Sequence, residues 1–134
     1  MIREFIKSDL DNFKPNKFSK YEDYKEIFDD DECLKFSLIK NNKVAAIMCF
    51  HCYWGNNWQC FILIEENFKR VYMRHIKNFM DFAIGVIKPS RLSTDSIDCD
   101  LVNRFHKFLG FKLEGTREKY IYDENINMWA MIWE

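Results

Sequence analysis

Two glutamates, two arginines and a histidine carry most of the chemistry that this chain of 134 residues offers. Glu65 and Glu66 open the stretch "EENFKRVYMRHI", residues 65–76, directly after the apolar run "CFILI". A strand that passes into a helix leaves backbone N–H groups free at the junction, and such junctions hold phosphate. Arg70 and Arg74 stand one helical turn apart, with Lys77 continuing the stripe, so guanidinium forks are available to an anion there. Two features oppose this. The junction has no glycine before Gly85, and Glu65 and Glu66 already complement the positive helix end and would repel an anion.

The cysteines offer less. There are five, at Cys33, Cys49, Cys52, Cys60 and Cys99. An odd set without regular spacing argues against a disulfide framework and for a reducing compartment. "CFHC" at 49–52, with His51 inside it, has the look of a metal motif. Residues three apart on a strand point to opposite faces, however, and no second CxxC or paired histidine follows, so no metal is expected.

Composition narrows the class. Hydrophobic residues make up 48% and aromatics 17%, enough for one ordinary globular core. A formal net charge of −1 gives no field for nucleic acid. No apolar run reaches the roughly 18–20 residues of a membrane helix. "MIREFIKSDLDNF" is charged where an export signal is apolar, so a cytoplasmic protein is expected.

The elements that must position these residues follow from periodicity. "IREFI" reads as a strand, and Ser8 with Asp11 as a capping box for a short helix that Pro15 ends. "SKYE" at 19–22 caps a second helix with Tyr21, Tyr24, Ile27 and Phe28 on one stripe. "DDDE" at 29–32 is a solvated turn. Three antiparallel strands then cover about 34 to 65, with turns at "NN" 41–42 and "GNN" 55–57. A long helix is expected over Asn67–Ile87, with Asn67 as N-cap and Phe68, Tyr72, Ile76, Phe79, Met80, Ala83 and Ile87 on its inner face. "RLST" is a strand. "LVNRFHKFLG" is a helix with Leu101, Val102, Phe105, Phe108 and Leu109 inward and Gly110 as its left-handed end. "FKLEGTREKYIYDE", kinked at Gly115, and "INMWAMIWE" close the chain as strands, with Trp129 and Trp133 on one face. The strand–helix–strand passage at 59–94 implies a parallel pair with a right-handed crossover. The whole is a single mixed α/β domain.

"FHKFLGFKLEG", with its amphipathic helix ending in "LGF" and a following strand with "EG", resembles the C-terminal half of the GNAT superfamily of acyl-CoA N-acyltransferases. The order of elements is similar across essentially the whole chain. The resemblance implies that the two parallel strands splay apart for the pantetheine arm of acetyl-CoA, and that the long helix turns its N-terminus to the pyrophosphate. It places the cofactor against Ile64, Phe68, Lys69, Arg70 and Arg74. It implies a carboxylate base from Glu65 or Glu66, a strand N–H for the oxyanion, and a proton donor four residues before Gly110, which is His106 where the family carries tyrosine. Cys99 stands where the family often has asparagine. Arg70, Tyr72 and Arg74 fall on three glycine positions of the family's phosphate loop. Bulky residues there obstruct or rebuild the pocket.

Two functions therefore stand side by side. One is an N-acetyltransferase acting on an amine. The other is a catalytically silent domain used for binding or assembly, with some likeness to phage virion proteins of GNAT-like fold. Tyr53, Trp54 and Trp58 at the "YWGNNW" turn are its candidate contact surface for a protein partner, and the face of Trp129 and Trp133 is one for helices or a second copy of the chain to cover. Tyr120 and Tyr122 are candidate substrate contacts.

Overall fold

The computed structural model describes residues 1–19, 28–121 and 123–133. Branched and aromatic runs cut by turn residues form seven strands: β1 Ile2–Glu4, β2 Leu34–Lys40, β3 Lys43–Trp54, β4 Asn57–Ile64, β5 Arg91–Ile97, β6 Lys112–Ile121 and β7 Glu124–Ile132. The described helices are α1 Met73–Ile87 and α2 Asp100–Leu109, with 3-10 turns at Lys7–Leu10, Lys17–Ser19 and Arg70–Tyr72. The strands are ordered β1-β2-β3-β4-β5-β7-β6 in one mixed sheet. The expected stripe of Tyr21, Tyr24 and Ile27, and the cap contact of Glu22, lie outside the described residues. No described helix is long and apolar enough to cross a membrane.

The chain divides into two compact units, Met1–His51 with Cys60–Ile76, and Cys52–Gln59 with Lys77–Glu134. In the first unit β1, β2 and β3 are antiparallel, with Arg3 opposite Ser37 and Leu34 opposite Phe50. Asn41 and Asn42 make the β2–β3 turn at φ 52° and 62°, a pair of left-handed residues that suits the strand twist. Phe13, Phe28, Cys33, Ile47, Cys49 and Leu63 form one core cluster, with Phe5, Leu10, Val44 and Phe61 packed against it.

The expected cap at Ser8 is replaced by one at Asp9. The Asp9 carboxylate accepts the Ile6 N–H at 3.0 Å, two bonds from the Arg3 guanidinium at 2.9 and 2.6 Å, and the Ser37 hydroxyl at 2.8 Å. Asp9 is 6% exposed. Burial alone would raise its pKa, but these donors hold the carboxyl below its usual range. A charge that far inside needs all of them, which is why Ile6 and not Ser8 is the N-cap of the short helix.

In the second unit β4 pairs in parallel with β5 through three residues only, Asn57–Gln59 against Arg91–Ser93. β4 then passes into the first unit and runs to Ile64. The parallel pair required by the crossover is present over these residues. β7 lies antiparallel between β5 and β6. A register shift between Leu113 and Gly115 marks the expected kink, where a Cβ on Gly115 would stand 3.1 Å from the Met128 methyl. Lys88, at φ 51°, closes α1.

The inner face of α2 differs from the expected one. His106 and Leu109 are buried, whereas Leu101 and Phe108 are 57% and 45% exposed. Counting only apolar side chains rotates the face away from the i, i+4, i+7 row of Val102, His106 and Leu109. Gly110, at φ 108°, takes the left-handed end as expected, with its N–H on the Lys107 carbonyl and the Phe111 N–H on that of His106. Asn127, 2% exposed, donates to Asp98 and Asn103 and accepts from Thr116, so its amide is satisfied inside the unit. Trp129 is buried with its indole N–H on Ser96, while Trp133 lies beyond the end of β7 and is 37% exposed.

Candidate functional site

The segment Ile64–Arg74 gathers seven of the eight expected site residues onto one stretch of the first unit. Its backbone directions are fixed by hydrogen bonds. The Glu65 N–H donates to Ala45 on β3 at 3.0 Å. Alternation therefore turns the polar groups of Ile64 and Glu66 to the opposite edge of β4. That edge is occupied at this point. Asn16 N–H donates to the Ile64 carbonyl at 2.8 Å, and Glu66 N–H donates to the Lys14 carbonyl at 2.8 Å. Lys14–Asn16 thus lies along β4 as an antiparallel strap, with Pro15 opposite Glu65.

Past the strap the chain turns on itself. The Glu65 carboxylate accepts the Asn67 N–H at 3.0 Å, and the Phe68 N–H donates to the Glu65 carbonyl at 3.0 Å. This turn delays the helix. Asn67 is not its N-cap; Lys69 holds the extended position at φ −82° and ψ 132°, a 3-10 turn follows at Arg70–Tyr72, and α1 begins at Met73. The Asn67 N–H is donated to the Glu65 carboxylate, and the extended Lys69 then breaks the run, so helical backbone starts only at Arg70.

Of the three bulky residues on the family's glycine positions, Tyr72 turns inward. Its hydroxyl accepts from the Asn41 amide at 3.2 Å, its ring meets Phe68 edge-on at 5.7 Å, and the Lys40 ammonium stands 5.7 Å from its centroid. Arg70 and Arg74 are exposed, as are Lys69 and Glu66. The surroundings are cationic. Burial first, then the charges of Lys40 and the chain amino terminus, push the His75 pKa down.

His106 belongs to the second unit and is 7% exposed. Nδ1 lies 2.9 Å from the Val102 carbonyl, which makes it the protonated nitrogen of the neutral ring. The ring stacks on Trp129 at 5.3 Å and 16°, with Phe105 and Phe111 at 5.7 and 5.9 Å. Burial lowers its pKa, and the bond to Val102 only partly offsets this. Cys99 occupies the N-cap position of α2 without a side-chain cap bond.

The aromatic hairpin also has partners of its own. Tyr53 bonds Gln59 through its hydroxyl, its ring lies 5.9 Å from that of Trp54, and the Trp58 indole donates to Asn56 at 3.1 Å. Trp54 remains 71% exposed. Tyr120 is exposed under the Arg117 guanidinium, and Tyr122 lies outside the described residues. One constellation was not visible along the sequence: Asp30, Cys33 and His51 converge, because the β2–β3 register carries Cys33 opposite His51.

No protein-family model and no curated protein sequence matches the chain. Solved structures do match it in three dimensions. The ribosomal-protein-S18-alanine N-acetyltransferase from Escherichia coli superposes with a TM-score of 0.77 at 16% identity, over 98% of this chain and 92% of that one. An acetyltransferase of the GNAT family from Streptococcus pneumoniae gives 0.73 at 13% identity, over 100% and 99%. A Bacillus anthracis protein assigned as a streptothricin acetyltransferase, solved with acetyl coenzyme A, gives 0.72 at 15% identity, over 100% and 98%. At these identities the likeness establishes the fold. The expected likeness to phage proteins finds no support among these neighbours.

Proposed function

We propose that this chain, which has the GNAT acyltransferase fold, binds acetyl-CoA and transfers its acetyl group to an amine. The observation that carries the reading is the short parallel ladder, which ends at Gln59 while β4 continues to Ile64. The Ile62 carbonyl lies on the edge of β4 that the ladder leaves, short of the strap at Ile64–Glu66, so an amide-bearing arm can pair there as a strand does. Neighbours of the fold were solved with acetyl-CoA or CoA. Phosphates would meet Lys69, Arg70 and Arg74, exposed on the cationic side of Phe68 and Tyr72, in place of the missing glycines.

In the transfer, the amine nitrogen forms a bond to the thioester carbonyl carbon, a strand N–H steadies the oxyanion, the C–S bond breaks, and the thiolate takes up a proton. Glu66 is assigned the base that accepts the amine proton, since its side chain is exposed while the carboxylate of Glu65 serves the Asn67 N–H. His106 is assigned to packing and not to the acid. What supports this is its 7% exposure and its stack on Trp129, which leave it far from solvent. Titration with acetyl-CoA tests the reading. Saturable micromolar binding, lost in Arg70→Glu, is expected, with thiol release on addition of amines. Absence of binding up to millimolar acetyl-CoA overturns it.

The strap favours a second reading, a silent domain. A ligand with phosphates at Arg70 and its thioester near Ile62 must cross Ile64–Glu66, where Lys14–Asn16 already pairs. If the strap stays in place, the edge is closed to such a ligand.

A further inference from the structure

The geometry points to a site for one thiophilic divalent cation, with zinc as the natural occupant, held by Asp30, Cys33 and His51. All three belong to the first unit, away from the Ile64–Arg74 segment in sequence. Leu34 lies opposite Phe50, so Cys33 and His51 are the next cross-strand neighbours as β2 begins. Asp30 precedes them in a turn that aims its carboxylate. Its carbonyl accepts the Cys33 N–H at 3.3 Å, and its Oδ1 accepts the Glu32 N–H at 2.9 Å. The other oxygen, Oδ2, stands 3.8 Å from His51 Nδ1. Cys33 Sγ stands 3.2 Å from that same nitrogen. The three ligand atoms all lie within 4.8 Å of one another.

That sulfur and oxygen approach one nitrogen decides between two chemistries. A proton relay uses both ring nitrogens, one facing the nucleophile and the other facing the carboxylate. Here thiol and carboxylate share Nδ1, so the ring cannot pass a proton between them. Three lone-pair donors facing one point are instead the start of a coordination shell. Zinc bonds of about 2.3 Å to sulfur and about 2.0–2.1 Å to nitrogen and oxygen give tetrahedral edges of roughly 3.3–3.6 Å. The observed separations of 3.2 and 3.8 Å lie on either side of that range. Movements of a few tenths of an ångström bring these two edges into it, and the third edge, between Cys33 Sγ and the Asp30 carboxylate, lies within 4.8 Å and closes by a swing of the half-exposed Asp30 side chain of up to about an ångström.

Charge and exposure agree with this occupant. A thiolate and a carboxylate balance a dication, and a neutral imidazole completes the set. Sulfur with nitrogen selects zinc over magnesium or calcium, which take oxygen. Cys33 is 8% exposed, while the side chains of His51 and Asp30 are 25% and 42% exposed, so solvent reaches the outer side and supplies the fourth ligand. Burial first, and then the Asp30 carboxylate, raise the Cys33 thiol, and the neighbouring Cys49 thiol and Lys35 only partly counter this. Binding then exchanges the thiol proton for the metal: Cys33 loses H⁺, the S–M bond forms, and affinity increases with pH.

The test uses the full chain, stripped by a chelator and titrated with Co²⁺ and then Zn²⁺. One Co²⁺ per chain is expected, with a near-ultraviolet thiolate-to-cobalt band and visible bands of tetrahedral strength, both removed by competing Zn²⁺. Cys33→Ser should abolish the near-ultraviolet band and weaken Zn²⁺ by at least about a hundredfold, since even outer-shell losses cost 10–100-fold. His51→Gln and Asp30→Asn should weaken binding too. These two side chains are partly exposed, so the variants keep the test decisive if Cys33→Ser does not fold. Cys52→Ser, whose thiol bonds the Gly55 carbonyl, should bind as the parent does. A folded parent that takes up neither ion, or binding that survives in His51→Gln and Cys33→Ser alike, means a hydrogen-bonded cluster only and overturns the site.

Discussion

Replacing His106 by phenylalanine should flatten the acid side of the stability profile. The imidazole is 7% exposed, and burial holds its pKa below the ordinary 6.5. The unfolded chain therefore binds a proton at this residue before the folded chain does. The stability tied to the neutral ring is complete above pH 6.5 and is lost as the pH falls from there through the native value. The loss between about pH 7.5 and 5.5 is at most about 1.4 kcal/mol, reached when the folded ring stays neutral throughout, because the unfolded chain takes up half a proton on average over that span. Phenylalanine keeps an aromatic face for Trp129 and has no proton to bind. Any packing offset it introduces is the same at every pH. Urea unfolding of parent and His106→Phe at several pH values between these limits measures the difference. His75, whose pKa is also lowered, is present in both proteins and cancels. Parallel profiles for the two proteins, or an imidazole resonance of His106 titrating at or above 6.5, would refute the reasoning.

Other substitutions probe other parts of the structure. Asp9→Asn removes the charge and one of the two accepting oxygens that Arg3, Ile6 and Ser37 share and should cost about 2 kcal/mol by chemical denaturation. The Arg3 side chain is 35% exposed, which keeps the figure below that of a fully buried pair. The stability from Asp9 is present above its ordinary 3.8 and lost as pH falls through the lower native value, so the parent and Asp9→Asn should converge in strong acid. Lys88→Gly relieves a left-handed lysine at φ 51° and should raise stability by about 1 kcal/mol, read as a shifted denaturation midpoint at unchanged slope. Asn16→Pro deletes the N–H given to Ile64; if the strap competes with acetyl-CoA, calorimetry should show tighter binding in this variant, and equal affinity would show that the two do not compete.

The architecture was legible because periods of two and of 3.6 residues are written directly into the chain. "CLKFSLIK", the Asn41–Asn42 turn, the crossover and the Gly110 stop each state their structure locally. What failed to show was set by contacts distant in sequence. Asp9 caps Ile6 because Arg3 and Ser37 reach it, and Ser37 lies on another strand. The start of α1 moved because the chain first turns at Glu65–Phe68 and then passes through an extended Lys69. The inner face of α2 turned because a histidine packs as an aromatic when tryptophan covers it. Within the site, the chemistry of residues 64–74 could be read in order, but the strap could not, since nothing in "KPN" announces a partner at Ile64. The cluster at His51 was hidden for the same reason: its partners precede β2 and are brought to it only by the β2–β3 register.

Neither compact unit is a continuous length of chain. β3 leaves the first at His51 and β4 re-enters it at Cys60, so the polypeptide visits one unit, departs, and comes back. On a ribosome, the first unit cannot complete itself until Ile76 has emerged, however early its first strands appear. No single cut divides the molecule into two self-sufficient fragments. A protease nicking the turn at Gly55 would leave each unit divided between the two pieces, which would have to remain together for either to persist.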